Sequence, residues 1–148
     1  MKLKIKNKVN SKDWLLKTSF AENEFAYKVL EDERLWDIGD WGLDYITLKD
    51  NKEEIGYCTI AIDDNVSIYG LSILPWHRKK GYCKEFMKLI IKHYNKKNIT
   101  DIELSTRSPY LESVLKDLGF EYAYSEISEY SNLKEEKYLL NIEDKLNE

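Results

Sequence analysis

The order of hydrophobic and polar positions along the chain predicts a regular succession of strands and helices. Alternating or continuous apolar runs predict strands at residues 2–9, 45–48, 54–62, 66–74, 101–107, 120–127 and 138–142. Helical spacing of apolar residues predicts a helical region at 12–30, with a break near 21–23, and helices at 81–95 and 108–118. Residues 66–107 then form a strand–helix–strand unit, whose two strands we expect to pair in parallel through a right-handed crossover.

Length and composition indicate one soluble globular domain that spans residues 1–148. The 148 residues are 43% hydrophobic and 34% charged, and no apolar run is long enough to cross a bilayer. The N-terminal segment alternates Lys with apolar residues and lacks the continuous apolar stretch of a signal peptide. Cys58 and Cys83 are too few for a disulfide framework and are not spaced for a metal site. We therefore expect a cytoplasmic protein with reduced thiols, without a metal and without membrane contact.

The net charge argues against nucleic acid as a partner. The chain carries 23 Lys and Arg against 27 Asp and Glu, a formal net charge of −4, whereas binding to a phosphate backbone needs a basic footprint. The charges are nevertheless uneven. Basic residues gather at 78–84 and 92–97, and acidic residues gather at 31–33 and at Asp37, Asp40 and Asp44.

A short basic loop joins the predicted strand at 66–74 to the helix that follows it. Residues 73–83 read Ile-Leu-Pro-Trp-His-Arg-Lys-Lys-Gly-Tyr-Cys. The first N–H groups of a helix have no intrahelical partner, and the helix dipole favours negative charge at this end. Arg78, Lys79 and Lys80 add positive charge at the same place. The loop therefore predicts a phosphate site, with an ordinary basic turn as the alternative.

This loop resembles the acetyl-CoA signature of the GNAT family of N-acetyltransferases. The family signature is Arg or Gln, any two residues, Gly, any one residue, and then Gly or Ala. It follows a strand that ends in an apolar residue and often a Pro. Arg78, Gly81 and Cys83 follow this pattern, with Ile73 and Pro75 ahead of them. Cys83 departs from the usual Gly or Ala, but a Cys keeps the backbone N–H and adds only a small side chain.

A second stretch of the chain carries the same resemblance. The family commonly has Leu-Glu-Val on a strand, then Asn, Ala and Tyr, and a terminal Gly-Phe. The corresponding residues here are Ile102-Glu103-Leu104, Ser108, Leu111, Leu115 and Gly119-Phe120. The two stretches together cover residues 54–120, a little under half of the chain, and the N-terminal third matches in element order only.

The resemblance implies a layered α/β (α+β) fold and an acetyl-CoA cofactor. The GNAT fold is a mixed, mostly antiparallel sheet of six to seven strands with a central, splayed parallel pair, flanked by about four helices. The positions that hold coenzyme A in the family are here Ile73, Leu74, Arg78, Lys79, Lys80, Gly81, Tyr82, Cys83 and Ser108. The backbone of Ile73 and Leu74 would bind the pantetheine arm, and its N–H groups could polarise the thioester oxygen.

The resemblance also implies catalytic positions, and one of them is changed in this chain. Glu103 stands where one branch of the family places its catalytic base, and it could activate an amine through a water; a surface Glu is the alternative. The Tyr that usually protonates the leaving thiolate is replaced by Leu115. Tyr110 is the first candidate for a substitute acid and Tyr69 the second.

The two histidines receive no catalytic role. We expect His77 to be a solvated loop residue and His93 to lie on the wet side of its helix. Neither has a nucleophile or a metal ligand near it in sequence.

The loop before the second predicted strand is where the family commonly places the acceptor. In this chain it contains Trp36, Asp37, Asp40, Trp41 and Asp44. Indoles and carboxylates suit a cationic amine, through cation–π contact and charge pairing. The alternative is that both Trp residues are packing residues.

The sequence thus predicts an acetyl-CoA-dependent N-acetyltransferase that acts on a primary amine of a small molecule, a peptide or a protein. A non-catalytic acyl-CoA-binding domain of the same fold is the first alternative, because Leu115 replaces the expected Tyr. A plain α/β interaction protein is the second. We expect a monomer or a homodimer.

Overall fold

A seven-stranded sheet flanked by two α-helices forms the described part of the computed structural model, residues 1–7, 13–14, 43–62, 65–127 and 132–142. The strands are β1 (Lys2–Lys6), β2 (Asp44–Asp50), β3 (Glu53–Ile62), β4 (Val66–Ile73), β5 (Asp101–Thr106), β6 (Glu121–Ile127) and β7 (Lys134–Asn141). The helices are α1 (Tyr82–Asn95) and α2 (Pro109–Asp117), and a short 3-10 helix at Pro75–His77 precedes α1.

The sheet is mixed, with one parallel pair near its centre. Its strand order is β1-β2-β3-β4-β5-β7-β6, and neighbouring strands are antiparallel except for β4 and β5. Helix α1 lies in the connection between these two strands, as the sequence predicted. The predicted mixed, mostly antiparallel sheet with a central parallel pair is therefore confirmed.

The described residues contain two α-helices, whereas about four were expected. Helices α1 and α2 occupy the predicted positions. The other helical prediction, residues 12–30, lies outside the described residues except for Asp13 and Trp14, which are helical. Neither α1 nor α2 is long and apolar enough to span a lipid bilayer, and no other described segment offers such a helix.

Local sequence signals fix both ends of α2. The Oγ of Ser108 accepts a hydrogen bond from the backbone N–H of Leu111 at 3.2 Å, and Pro109 takes the first helical position. Just beyond the other end, Gly119 adopts a left-handed φ of 93°. These caps place the helix where the sequence predicted it.

Both helices pack their apolar faces on one side of the sheet. The buried residues are Phe86, Met87, Ile90 and Tyr94 of α1 and Leu111, Val114 and Leu115 of α2. They join a single cluster with apolar side chains of β2, β3, β4, β5 and β7. Because side chains alternate along a strand, the opposite face of the sheet carries a separate, smaller cluster, formed by Trp14, Tyr45, Tyr57 and Leu74.

A bulge distorts β4 in its second half. Two consecutive residues of β4, Gly70 and Leu71, lie opposite the single residue Cys58 of β3. Gly70 adopts a φ of 64°, in the left-handed region that glycine enters without a Cβ penalty. The bulge bends β4 away from the straight path that continued pairing with β5 would need.

A gap opens between β4 and β5 beyond this point. Their register pairs stop at Ile68 and Leu104, although β4 continues to Ile73 and β5 to Thr106. The carboxyl ends of the two parallel strands therefore separate. In sheets with parallel strands, ligands bind at such a separation.

Several strand boundaries differ from the prediction. Strand β2 begins at Asp44, which was assigned to a loop, and β7 begins at Lys134 instead of residue 138. The segment 134–137 reads Lys-Glu-Glu-Lys, a charged run without apolar alternation. It is a strand because it pairs with β6, and its last two residues also pair with β5. Backbone pairing here outweighs the local sequence pattern.

Gly56 of β3 offers a test of this packing. A Cβ at this position would lie 2.5 Å from the carbonyl oxygen of Ser72 in the paired strand. We expect Gly56→Ala to lower the free energy of unfolding by about 1–3 kcal/mol, because the two backbones must move apart. Urea denaturation measures this loss. Ser72→Ala adds no atom at this contact and should lower the free energy of unfolding by less than about 1 kcal/mol. Equal losses in the two variants would contradict the close approach of Gly56 to the Ser72 carbonyl.

Candidate functional site

The basic loop, residues 78–83 and hereafter the phosphate loop, leads directly into α1. Gly81 is the N-cap of the helix, with a φ of 81°, and no side chain caps the first turn. Lys79 is also left-handed, with a φ of 64°. Residues 78–81 are exposed and Tyr82 and Cys83 are half-buried. The first N–H groups of α1 therefore stand beside exposed cationic side chains, an arrangement that suits a phosphate.

The phosphate loop is attached to the end of β4. The Nε of Arg78 donates a hydrogen bond to the carbonyl oxygen of Ile73 at 2.9 Å. The backbone N–H of Leu74 donates to the carbonyl of Ile55 at 2.9 Å. We expected the N–H groups of Ile73 and Leu74 to be available to a thioester, and for Leu74 this is wrong because its N–H is already bonded to β3. Both residues nevertheless lie at the end of β4 beside the gap.

Glu103 lies on β5 where the parallel pairing is about to end. Its partner in the register is Ser67 of β4, whose hydroxyl donates to Oε1 of Glu103 at 2.7 Å. The Nζ of Lys137 on β7 lies 3.5 Å from Oε2. Both carboxylate oxygens therefore have a partner, and the side chain is fixed on the sheet face opposite α1 and α2.

Lys137 was not singled out by sequence reasoning. Its Nζ also lies 5.5 Å from the centre of the Tyr124 ring. Burial lowers the pKa of Lys137, but the contacts with Tyr124 and Glu103 outweigh it and the net direction is upward. The side chain is therefore a firmly charged cation beside Glu103. Lys137 sits in the charged run at the start of β7, far along the chain from Glu103, so no local motif marked it.

The candidates for a general acid lie apart from one another. Leu115, at the position of the family Tyr, is fully buried in the core. Tyr110, on the first turn of α2, is 57% exposed, and Ser108 uses its hydroxyl to cap the same helix. Tyr69 of β4 is 41% exposed and, by alternation, shares the sheet face of Ser67. No contact joins either Tyr to Glu103 among the interactions of the described residues.

The predicted acceptor residues are described in part. Trp36, Asp37, Asp40 and Trp41 lie outside the described residues. Asp44 is buried at the start of β2, and its Oδ2 accepts a hydrogen bond from the Tyr94 hydroxyl at 2.7 Å. Burial, together with this bond, raises the pKa of Tyr94. Asp44 is thus a core residue that joins β2 to α1, and the prediction that it lies in the acceptor loop is wrong.

The environments of both histidines differ from the prediction. His77 is buried, and its Nε2 lies 2.9 Å from Oε1 of Glu53. His93 is half-buried on α1 instead of lying on its wet side, and its ring stands edge-on to Tyr94. Burial, assisted by the nearby Lys97, lowers the pKa of His93.

The two cysteines are free thiols. Cys58 is buried in β3 and Cys83 is half-buried in the first turn of α1. Burial raises the pKa of both thiols, that of Cys83 to about 11. At neutral pH neither thiol is a nucleophile.

Solved structures share this fold. A chimera from the spermidine N-acetyltransferase SpeG of Vibrio cholerae and hSSAT is 16% identical, with 100% of both chains covered and a TM-score of 0.75. A GNAT-family acetyltransferase from Bacillus anthracis is 15% identical over 97% of this chain and 96% of its own, with a TM-score of 0.65. A Salmonella typhimurium protein solved with its cofactor acetyl-CoA is 14% identical over 96% and 95%, with a TM-score of 0.63.

Comparison at the level of sequence agrees with the fold. A search of curated proteins finds no match to the chain. The family model of the Acetyltransferase (GNAT) family matches residues 12–120, which include the phosphate loop, the gap between β4 and β5, and α2. This match spans most of the chain, and the chain therefore belongs to the GNAT family of acetyltransferases.

Proposed function

We propose that this protein transfers an acetyl group from acetyl-CoA to a primary amine of a small molecule, a peptide or a protein. The observation that carries the proposal is the uncapped start of α1, which stands beside exposed basic residues at the gap between β4 and β5. The loop suits the pyrophosphate of coenzyme A, and the gap suits its pantetheine arm. The family match and the Salmonella protein solved with acetyl-CoA support this choice of cofactor.

Coenzyme A would be held mainly by backbone and charge. The N–H groups at the start of α1 and the side chains of Arg78, Lys79 and Lys80 would bind the pyrophosphate. Tyr82 and Cys83 would contribute their backbone in the first helical turn. The carbonyl of Ile73 already accepts from Arg78, so the loop and the end of β4 would form one continuous site.

Glu103 is the proposed base. It would take a proton from the acceptor amine, directly or through a water, and the amine nitrogen would then attack the thioester carbonyl. When the carbon–sulfur bond breaks, the coenzyme A thiolate would take a proton from the amine or from water. Ser67 and Lys137 orient the Glu103 carboxylate, since each binds one of its oxygens.

A cationic acceptor is the proposed substrate class. The supporting sequence feature is the pair of indoles and the carboxylates at Trp36, Asp37, Asp40 and Trp41. The similar fold of the Vibrio cholerae chimera, whose name includes spermidine N-acetyltransferase, agrees with this class. We further propose that the chain is one domain that works in the reducing cytoplasm as a monomer or a homodimer.

A non-catalytic acyl-CoA-binding domain is the second candidate. The observation that favours it is Leu115, which fills the position of the usual acid with a fully buried apolar side chain. Tyr110 and Tyr69 are exposed hydroxyls that would have to replace it. General acid catalysis contributes roughly 10²–10⁴-fold in rate, so turnover distinguishes the two candidates.

The phosphate loop is tested by Gly81→Asp. We expect this variant to bind coenzyme A at least about tenfold more weakly in calorimetry, because a carboxylate would face the pyrophosphate at the start of α1. A Cβ at Gly81 would meet no atom of the described chain within 4 Å, so the fold itself has room for the side chain. Gly81→Asn is the matched control: it adopts the same left-handed φ without the charge, and it should lose less affinity. Parent-like binding by Gly81→Asp would remove the loop from the cofactor site.

The base is tested by Glu103→Gln. We expect kcat to fall by about 10²-fold or more at neutral pH, while the affinity for acetyl-CoA stays within about twofold. Asp101→Asn is the control, since Asp101 is a carboxylate at the start of the same strand and has no proposed role. A thiol-release assay with a panel of amines supplies the rates. Equal kcat values for the parent and Glu103→Gln would eliminate Glu103 as the base.

The acceptor class is tested by Asp37→Asn combined with Asp40→Asn. We expect the KM for a cationic amine to rise and the KM for acetyl-CoA to stay unchanged, because the lost carboxylates attract the acceptor alone. The effect should shrink at 1 M salt, where the Debye length is about 3 Å. Asp101→Asn, which removes a carboxylate from β5, is the control. A preference for neutral or acidic acceptors in the amine panel would contradict the proposed class.

A further inference from the structure

His77 connects the phosphate loop to a distant strand. It ends the 3-10 helix directly before the loop and is 7% exposed. Its Nε2 lies 2.9 Å from Oε1 of Glu53, the first residue of β3, at an angle outside hydrogen-bond geometry. Its ring also stands edge-on to Tyr82, the first residue of α1, with ring centres 5.9 Å apart. One imidazole thus contacts β3 and the first turn of α1.

The phosphate loop needs such an attachment because its backbone is strained. Lys79 holds a left-handed φ of 64° without being a glycine, a conformation that costs on the order of 1–3 kcal/mol and persists only where its surroundings fix it. Arg78 is bound to Ile73, and the N–H of His77 to the carbonyl of Leu74, both within a few residues along the chain. The contact with Glu53 adds a side-chain contact with a separate element of the sheet, β3, to which the backbone N–H of Leu74 is also bonded.

We propose that His77 is a positioning residue for the cofactor, and that its contact with Glu53 holds the phosphate loop in the conformation that binds the pyrophosphate. This inference rests on the proposed role of the loop in binding coenzyme A. A loop that is already ordered binds without the entropy cost of ordering it, so the contact contributes to affinity although neither side chain touches the ligand.

A double-mutant cycle measured by calorimetry with coenzyme A tests this inference. We expect Glu53→Gln and His77→Gln each to weaken binding roughly two- to fivefold. The double variant should bind no more weakly than the weaker single variant, because each change removes the same contact. Glu54→Gln is the matched control, since that carboxylate is one residue away but is bound to the Tyr57 hydroxyl, and it should bind like the parent.

The outcomes separate the inference from the proposed function. Parent-like binding by Glu53→Gln, or losses that add in the double variant, would show that His77 is a packing residue and overturn the inference alone. Should His77→Gln fail to fold, Glu53→Gln decides, because its side chain is 63% exposed and its removal leaves the core intact. A parent protein that does not bind coenzyme A would overturn the proposed function and the inference with it.

Discussion

The separation of β4 from β5 is the constraint on which the site depends. A parallel ladder that continued to the ends of both strands would satisfy their backbone groups mutually and leave no opening. The bulge at Gly70 and Leu71 bends β4 instead, and pairing with β5 stops after Ile68. On its other edge β4 stays in close contact with β3, where Gly56 leaves no room for a side chain. Strand β4 is therefore fixed by β3 along one edge, whereas the end of its other edge no longer pairs with β5.

The chemistry of the site is distributed around this opening. Strand β4 ends at Ile73, and the side chain of Arg78 returns to the carbonyl of that residue. The strand end and the start of α1 are in this way joined into one surface. Glu103 lies at the other end of the opening, one register pair before the strands separate. The sheet thus sets the distance between the cationic loop and the Glu103 carboxylate. Helices α1 and α2 pack against the opposite face of the sheet and stabilise it there.

Features with a local physical cause could be predicted from the sequence, and features made by distant pairing could not. Helix α2 is defined by signals within a dozen residues, namely the cap at Ser108, the following Pro109 and the left-handed Gly119. The burial of Leu115 follows from helical periodicity. By contrast, Lys137 reaches Glu103 only because β7 pairs with β5, and the run that contains it has no strand pattern of its own.

The same distinction explains the polar residues whose environment was predicted wrongly. Asp44 and His77 each occupy a stretch that is rich in turn-forming or charged residues, which predicts exposure. Each is buried because a partner from elsewhere in the chain, Tyr94 for Asp44 and Glu53 for His77, lies against it. The bulge in β4 was not predicted, although the sequence carries a signal for it: Gly70 interrupts an apolar strand.

The cysteine in the phosphate loop has a consequence for the proposed use of a thioester as acyl donor. A thioester is an acyl donor for any thiolate in its vicinity. Burial raises the pKa of Cys83 to about 11, which leaves about one molecule in ten thousand ionised at pH 7. Cys83 therefore adds no negative charge where phosphate oxygens would lie, and it is a poor acceptor of an acyl group. A side chain that departs from the family pattern therefore brings neither a negative charge nor a reactive thiolate to this turn at neutral pH.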